Sequence, residues 1–437
     1  MRAIYKNKVR NKQRRCLLSL LLLGTLLPTG AQTLEQCQQA AEQNYPLIRQ
    51  YDLIEKTTQL TVSNLAKGWL PQLQATAQAT WQSDVTAWPD AMQGMLKQSG
   101  LDVKGLKKDQ YRVGLDVSQT LFDGGAISSQ QEVARQEGNV QAAQNEVNLY
   151  AVRKRVNEMY FGLLLIDEQI KLAQDLEQLL STNERKLASM YKGGTASESD
   201  YNNVKAERLN TTQQLTNLQA ERSTLQRMLS TFCGIAVEAP VKPAPHDALD
   251  DTAESHRPEL RLADSQLRLA DARERQLNAA LLPKLSVFAS GFYGYPGYNM
   301  FEDMMRHDWS WNGMIGARLT WNIGALYTRH NDKAKIQLLR DQAENGREVF
   351  LFNNRLEQLQ QNENIRRYNA LMADDAEIIA LRTKVRKAAE SKLQHGIIAV
   401  NDLVKEINNE NAAKVQQRVH EINLLKELYD QKYTINP

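Results

Sequence analysis

The sequence predicts a mainly α protein with a smaller β part, assembled from a duplicated unit in which two strands precede a long helical hairpin. Three observations carry this. The stretch Ala126 to Tyr191 holds no proline for 66 residues, lies between Gly124-Gly125 and Gly193-Gly194, and keeps a seven-residue apolar rhythm at its centre. The same order of elements returns 212 residues downstream. Ahead of each long stretch the apolar period drops to two, the period of a half-exposed strand.

The chain begins with an address. Arg2, Lys6, Lys8, Arg10, Lys12, Arg14 and Arg15 form a basic start without acids, followed by the apolar run Leu17 to Leu27 and the small-residue exit Thr29-Gly30-Ala31. That pattern predicts export with cleavage after Ala31. The run is shorter than the ~20 residues of a spanning helix, and neither Cys16 nor Cys37 stands where a lipoprotein signal needs its cysteine. Removing those seven basic residues from the 54 Lys and Arg leaves 47 against 51 acids, a mildly acidic mature chain. It has no basic patch with interleaved aromatics, so no nucleic-acid partner is expected. Past the leader no apolar run reaches spanning length, and a chain of this kind crosses a membrane only with strands.

A short helix capped by Thr33 ends before Pro46, and a second runs from Pro46 to about Gly68. Alternation then begins at Leu73, Ala75, Ala77, Ala79 and Trp81, predicting a strand near 72–82. Ser83 to Asp109, rich in Gly, Pro, Asp and Lys, reads as a loop. Tyr111, Val113, Leu115, Val117, Gln119 and Leu121 predict the second strand, near 111–122. In the long helix, Val152, Met159, Ile166, Ala173, Leu180 and Leu187 mark one heptad position and Val156, Leu163, Ile170 and Tyr191 the position four residues on, a coiled-coil seam. At ~1.5 Å per residue such a helix is roughly 100 Å long. A turn at Gly193-Gly194-Thr195 leads into a returning helix, where Ser197 and Asp200 form a capping box.

Pro258 to Arg261 restates Pro46 to Arg49, and Leu281-Leu282-Pro283-Lys284-Leu285 restates Trp69-Leu70-Pro71-Gln72-Leu73. The predicted division is a leader at 1–31 and a first repeat at 32–237 with its hairpin near 126–232. An irregular linker at 238–257 follows, then a second repeat at 258–437 with strands near 284–294 and 311–321 and a hairpin near 327–433. Trp321-Asn322-Ile323-Gly324 stands where Phe122-Asp123-Gly124-Gly125 stood. The second long helix has two seams, one through Ile365, Tyr368, Met372 and Ile379 and one through Leu371, Ile378, Leu381, Val385 and Ala388, which suits the wall of a tube.

Four strands cannot close a barrel, and an open edge is not tolerated in lipid. Strands of this chain that cross a bilayer therefore need further copies: two give eight strands and three give twelve. Cys37 and Cys233, the cysteines left after the leader, are either bridged or two buried free thiols.

Leu70-Pro71 and Leu282-Pro283 at helix-to-strand junctions, Phe122-Asp123-Gly124-Gly125 after the second strand, the glycine at each hairpin tip and the two-fold repeat together resemble the TolC-like outer membrane efflux proteins, from about Thr33 to Tyr433. The resemblance implies a homotrimer with a twelve-stranded outer-membrane β-barrel continued by a periplasmic α-helical coiled-coil tunnel, and an equatorial belt near Glu238 to Arg257. It implies an exit duct that works with a periplasmic adaptor protein and an inner-membrane transporter, passes small molecules or proteins out of a Gram-negative cell, and needs no cofactor or metal. It also implies adaptor contacts at the tips (Gly193, Gly194, Thr195, His395, Gly396, Ile397) and a pore gate. Asp402 matches a pore aspartate and Asp200 an acid of the tip's polar latch. The chain departs from the pattern at Lys405, where a second aspartate is expected, and at Ile398, where a latch arginine is expected.

The residues offer little to an enzyme: His246, His256, His307, His330, His395 and His420 are scattered, without the helical spacing of a metal pair, and no phosphate loop or nucleophile motif is present. The rival is a periplasmic coiled-coil structural or adaptor protein, which carries one hairpin where this chain has two.

Overall fold

The computed structural model describes residues 32–103, 105–248 and 254–436; the predicted leader, 1–31, lies outside the described residues, as does 249–253 of the predicted linker. The chain forms two compact units. One comprises 152–250 and 360–433 with the segment up to Tyr45, and the other comprises 46–151, 251–359 and the last residues from Thr434. For convenience they are called the hairpin unit and the sheet unit.

The sheet unit is built around four antiparallel strands in chain order, β1 (Gln72–Trp81), β2 (Asp109–Phe122), β3 (Lys284–Tyr295) and β4 (Ser310–Thr320). The two repeats meet at the centre, where β2 pairs with β3 from Tyr111↔Tyr295 to Phe122↔Leu285, with a bulge between Thr120 and Phe122. β1 and β4 are left as the sheet's edges.

The helices are α1 (Leu34–Asn44), α2 (Ile48–Ala66), α3 (Asp90–Gln98), α4 (Ala126–Lys192), α5 (Glu198–Cys233), α6 (Pro258–Ala280), α7 (Met300–Arg306), α8 (Ala325–Gln394) and α9 (Val400–Ile435). Thr33, the predicted cap of α1, closes a reciprocal capping box with Gln36, and Ser197 and Asp200 form the one their spacing predicts for α5. Pro258 occupies the first turn of α6, where its missing N–H costs nothing.

Two elements depart from the sequence reading. The stretch 83–109 contains the helix α3, because Ala91, Met92, Met95, Leu96 and Lys97 are good helix formers and outweigh the single Gly94. Between β3 and β4 the shorter loop likewise folds the helix α7, whose N-terminus is held by Asn299. Through Met304, α7 packs into a small cluster of its own, in which Leu106, Tyr295 and Met304 are buried against Val85, Trp88 and Val103.

Each long helix contributes to both units, and each has a different short partner in each. In the sheet unit α2 lies along the first part of α4, where Gln131 donates to the Val62 carbonyl and Asn145 to the Leu47 carbonyl. There α6 lies along the first part of α8, tied by Arg340 to Asp271 and Glu274 at 2.8 and 2.6 Å. In the hairpin unit α5 lies along the rest of α4, with Arg208 bridging Glu177 and Glu184. α9 lies along the rest of α8, with Arg386 on Glu410.

Two apolar clusters fill the hairpin unit. Val152, Val156, Leu163 and Leu180 of the predicted seam are all buried. The first cluster gathers α1, α4, α5 and α9 around Leu34, Val156, Tyr160, Phe161, Leu229 and Ile422. Tyr160 is fully buried, and its hydroxyl lies 2.8 Å from the Gln32 carbonyl and 2.7 Å from that of Val241. It thereby joins the chain's first described residue to the irregular segment after α5, where Gln32 and Pro240 also form a parallel bridge. Burial drives the Tyr160 phenol pKa up, well above its ordinary value, so it stays a neutral donor at any physiological pH.

Removing that hydroxyl takes a donor from the Val241 carbonyl and leaves the Gln32 carbonyl with the Val241 amide alone. Tyr160→Phe is therefore expected to destabilise the hairpin unit by about 1 kcal/mol, seen as a lower thermal midpoint of the detergent-purified protein. An unchanged midpoint would show that water replaces the phenol at no cost.

Candidate functional site

Register sorts the sheet into two chemically distinct faces. On one lie Leu73, Ala75, Ala77, Ala79 and Trp81, opposite Val117, Leu115, Val113 and Tyr111. These continue through Ala289, Gly291 and Tyr293 to Ile315, Gly313 and Trp311. Trp311 and Ile315 are more than four-fifths exposed, at 82% and 84%. The other face carries Gln72, Gln74, Thr76, Gln78 and Thr80 beside Arg112, Asp116 and Ser118, then Ser286, Ser290, Asn312 and Arg318. Its two phenylalanines are covered by cations: the Arg112 guanidinium sits 3.8 Å above the Phe292 ring and that of Arg318 4.9 Å above Phe288. A largely exposed face that is mainly apolar, with Gln119 and Asp109 towards its two ends, backed by a polar one, is the pattern of a membrane barrel wall.

At one end of the strands the apolar face carries an aromatic cluster that sequence reasoning missed. Trp309 stacks on Tyr111 at 5.9 Å and packs on Tyr293 at 5.4 Å, and Tyr293 meets Trp311 at 5.1 Å. The signal was present in the tryptophans at strand ends, but only the register aligns them into a band.

The helix-to-strand junctions place Pro71 and Pro283 immediately before β1 and β3. Gly124 and Gly125 both have positive φ, +68° and +83°, and a side chain on Gly124 would collide with Leu282 at 2.5 Å. Asp123, buried beside them, accepts from the Gly125 and Ile127 amides at 2.8 and 2.6 Å and so starts α4. The second junction is built differently. Gly324 lies outside the left-handed region, and the turn is held by the Trp321 indole donating to the Leu281 carbonyl at 3.0 Å.

In the hairpin unit both tips have one design. The Gly194 amide bonds the Tyr191 carbonyl and that of Thr195 bonds Met190; equivalently Gly396 bonds Leu393 and Ile397 bonds Lys392, all between 2.9 and 3.0 Å. With φ of +73° at Gly194 and +68° at Gly396, each is a Schellman turn that satisfies the last helical carbonyls. Gly193, His395 and Ile397 are exposed. The tips meet around a cavity of about 370 Å³ lined by Met190, Asp200, Leu393, Ile398 and Val400 among others. Below it Leu180, Leu187, Val204, Leu403 and Ile407 form a common core.

The two acids suggested for the gate act in this structure as caps. Asp200 Oδ2 accepts from the Ser197 amide at 3.2 Å and from its hydroxyl at 2.6 Å. Asp402 Oδ2 accepts from the Ala399 amide at 3.2 Å. Asp402 and Lys405 are exposed, while Asp200 and Ile398 are half-buried at the cavity. Deeper between α8 and α9, Glu410 is buried. Burial pushes its pKa up, but hydrogen bonds from Lys414, Thr383 and Arg386 outweigh this and hold it below the usual carboxylate range.

Cys37 on α1 and Cys233 at the end of α5 are unbridged thiols here, both buried, and they are neighbours. The Cys233 thiol donates to the Cys37 carbonyl at 3.4 Å.

Comparison with known proteins places this geometry. The family profile of the outer membrane efflux proteins matches residues 38–234, the first repeat. No curated protein matches by sequence. Among solved structures, the outer-membrane channel OprN is similar at a TM-score of 0.66 and 16% identity, covering 92% of this chain and 89% of its own. VceC of Vibrio cholerae is similar at 0.67 and 13%, covering 92% and 94%. The CmeC outer membrane channel of Campylobacter jejuni gives 0.63 and 13%, over 92% and 85%. At these identities the likeness is one of fold: mostly helical, with few strands.

Because each tip glycine sits where a Cβ is strained, Gly194→Ala is expected to cost about 1 kcal/mol locally. Amide exchange at Thr195 should then speed up about fivefold; an unaltered rate would mean that the turn does not depend on its left-handed residue.

Proposed function

We propose that this chain, a TolC-like outer membrane efflux protein by its fold and by the family match of its first repeat, is the outer-membrane exit duct of a tripartite efflux or type I secretion system. The observation that carries this is the two-faced sheet with unsatisfied edges. Four strands end in β1 and β4, whose outer N–H and C=O groups lack partners within the sheet, while one face is mainly apolar and largely exposed. In lipid those edges must be paired. Three copies joined β4 to β1 make twelve strands, an even count in the range of outer-membrane barrels. The apolar face then meets lipid, with the aromatic cluster at its rim, and the polar face with Arg112, Asp116 and Arg318 lines the lumen.

In this reading the helical hairpins continue the barrel as a periplasmic tunnel, and the exposed tips at Gly193, Gly194, Thr195, His395, Gly396 and Ile397 receive a periplasmic adaptor protein. The adaptor links the duct to an inner-membrane transporter, which supplies the energy and chooses the cargo. The chain itself makes and breaks no covalent bonds. Among the described residues no helix is long and apolar enough to span a membrane, so the sheet is what inserts. A periplasmic adaptor or structural coiled coil is not favoured, since two hairpins and two strand pairs are present. The leader at 1–31 supplies export.

At the gate, Asp402 is exposed beside the tip and is free to face a pore axis with its two copies, whereas Asp200 is half-buried at the tip cavity. Three carboxylates on one axis would bind divalent cations. A lysine at 405, one turn on, weakens that site, and Ile398 makes the latch apolar.

Two measurements test the reading. Ile315→Arg, on the apolar face, should cost about 2–4 kcal/mol per chain near the bilayer midplane and deplete three-copy complexes from outer-membrane extracts. Gln74→Arg, on the opposite face, should leave the trimer intact and alter planar-bilayer conductance. A wild-type chain that is monomeric and freely soluble would sink the proposal.

For the gate, Asp402→Asn keeps the capping oxygen but removes the charge. Most of any divalent-cation block of single-channel current should vanish. Block of undiminished strength would free Asp402 of the role.

A further inference from the structure

We propose that Cys37 and Cys233 are joined by a disulfide in the mature protein, a staple that fastens the first helix of the chain to the end of α5. The sequence leaves these two as either a bridge or a pair of thiols; the fold brings them together although they are 196 positions apart. Cys37 is 0% and Cys233 2% exposed, and both lie in the same apolar cluster with Leu34, Ala41, Leu229 and Val237. The Cys233 sulfur lies 3.4 Å from the Cys37 carbonyl oxygen, to which its thiol donates. The Cys233 hydrogen bond draws the Cys37 thiol pKa down, while the same bond, with burial, raises that of Cys233.

The surroundings hold the two backbones in place independently of the sulfurs. Asn44, at the end of α1, donates to the Thr231 and Phe232 carbonyls at 3.2 Å each, and Tyr45 packs its ring on Phe232 at 5.4 Å. The turn after Cys233 is fixed by Gly234 at φ +70°, directly against Asn44. These contacts hold the end of α1 against the end of α5, so the folded frame keeps the two cysteines side by side.

The chemistry balances as a two-electron oxidation. The thiolate of one cysteine attacks a disulfide carried by a thiol–disulfide oxidoreductase, expelling that enzyme's thiolate and forming a mixed disulfide. The second cysteine, as thiolate, then attacks the first cysteine's sulfur and releases the enzyme's other thiolate. One S–S bond forms in the chain and one breaks in the oxidant; the two electrons stay on the oxidant's sulfurs, which take up the two protons. Because both sulfurs are sealed from solvent in the folded protein, oxidation precedes the docking of α1. Thereafter the same seal protects the bridge from reductants.

The inference rests on the export reading only for its oxidising compartment, and the experiment separates the two. The native chain is quenched with acid in the cell-envelope fraction, alkylated after denaturation and mapped without reduction. The expected result is a linked pair of peptides containing Cys37 and Cys233, with no alkyl adduct on either. Two adducts on envelope-located chain would overturn the staple while leaving export intact.

The purified, folded chain is also reduced and then refolded with oxidised glutathione, which tests the geometry wherever the protein resides. The internal bridge should form in most molecules; persistent thiols or glutathione adducts would refute it. Adding reductant during a melt should lower the midpoint of the wild type by several degrees and leave the double variant Cys37→Ala, Cys233→Ala unmoved. Equal response in both would also count against the staple.

Discussion

The structure depends on unsatisfied backbone groups at two strand edges. A sheet of four strands with β1 and β4 at its margins has nowhere within one chain to send the outward N–H and C=O groups of those strands. In water they would be solvated, but the sheet also turns a mainly apolar face outward, from Leu73 to Leu319, which is unfavourable to leave in water. In the proposed duct, other copies of the same chain and the surrounding lipid meet both demands. The bulge between Thr120 and Phe122 adds local twist of the kind that helps a sheet curve towards closure.

The polar face uses a different economy of space. Phe292 and Phe288 fit because glycines oppose them: a Cβ at Gly114 would approach Phe292 to 2.9 Å, and one at Gly316 would meet the Phe288 ring at 2.8 Å. The arginines stacked on these rings present charge on the polar side of the sheet while covering the aromatic surface. Large side chains are thus laid flat along the wall.

Between the helices, apolar seams are interrupted by buried polar pairs. Asn157 donates to Asp430 at 3.1 Å, Gln431 to Asn362 at 2.6 Å, and His420 meets Asp375 at 2.9 Å. Each joins a different pair of helix positions and tolerates no shift by a turn, because a shift would leave both partners buried and unbonded. Leucine seams alone would permit such sliding. The hairpin unit therefore owes its cohesion to the seams and its register to these pairs.

The primary structure by itself determined what is local and periodic: the heptads around Val156 and Leu163, the alternation in β1, β2 and β3, the N-cap at Thr33, the capping box at Ser197, the glycine turns of the tips, and the repeat that orders them. Short-range sterics and periodicity govern those features, so they can be read along a line. It misjudged the stretch containing α3, where helix formers around Gly94 outweighed loop composition, and it drew too close a likeness between Gly124-Gly125 and Ile323-Gly324. Tertiary structure alone decided which strands are neighbours, that Trp309, Tyr293 and Trp311 form one band, that Asp200 and Asp402 bond backbone amides, and that Cys37 lies against Cys233. These are relations between residues tens to hundreds of positions apart, fixed by the packing of whole elements, and no spacing within a single element encodes them.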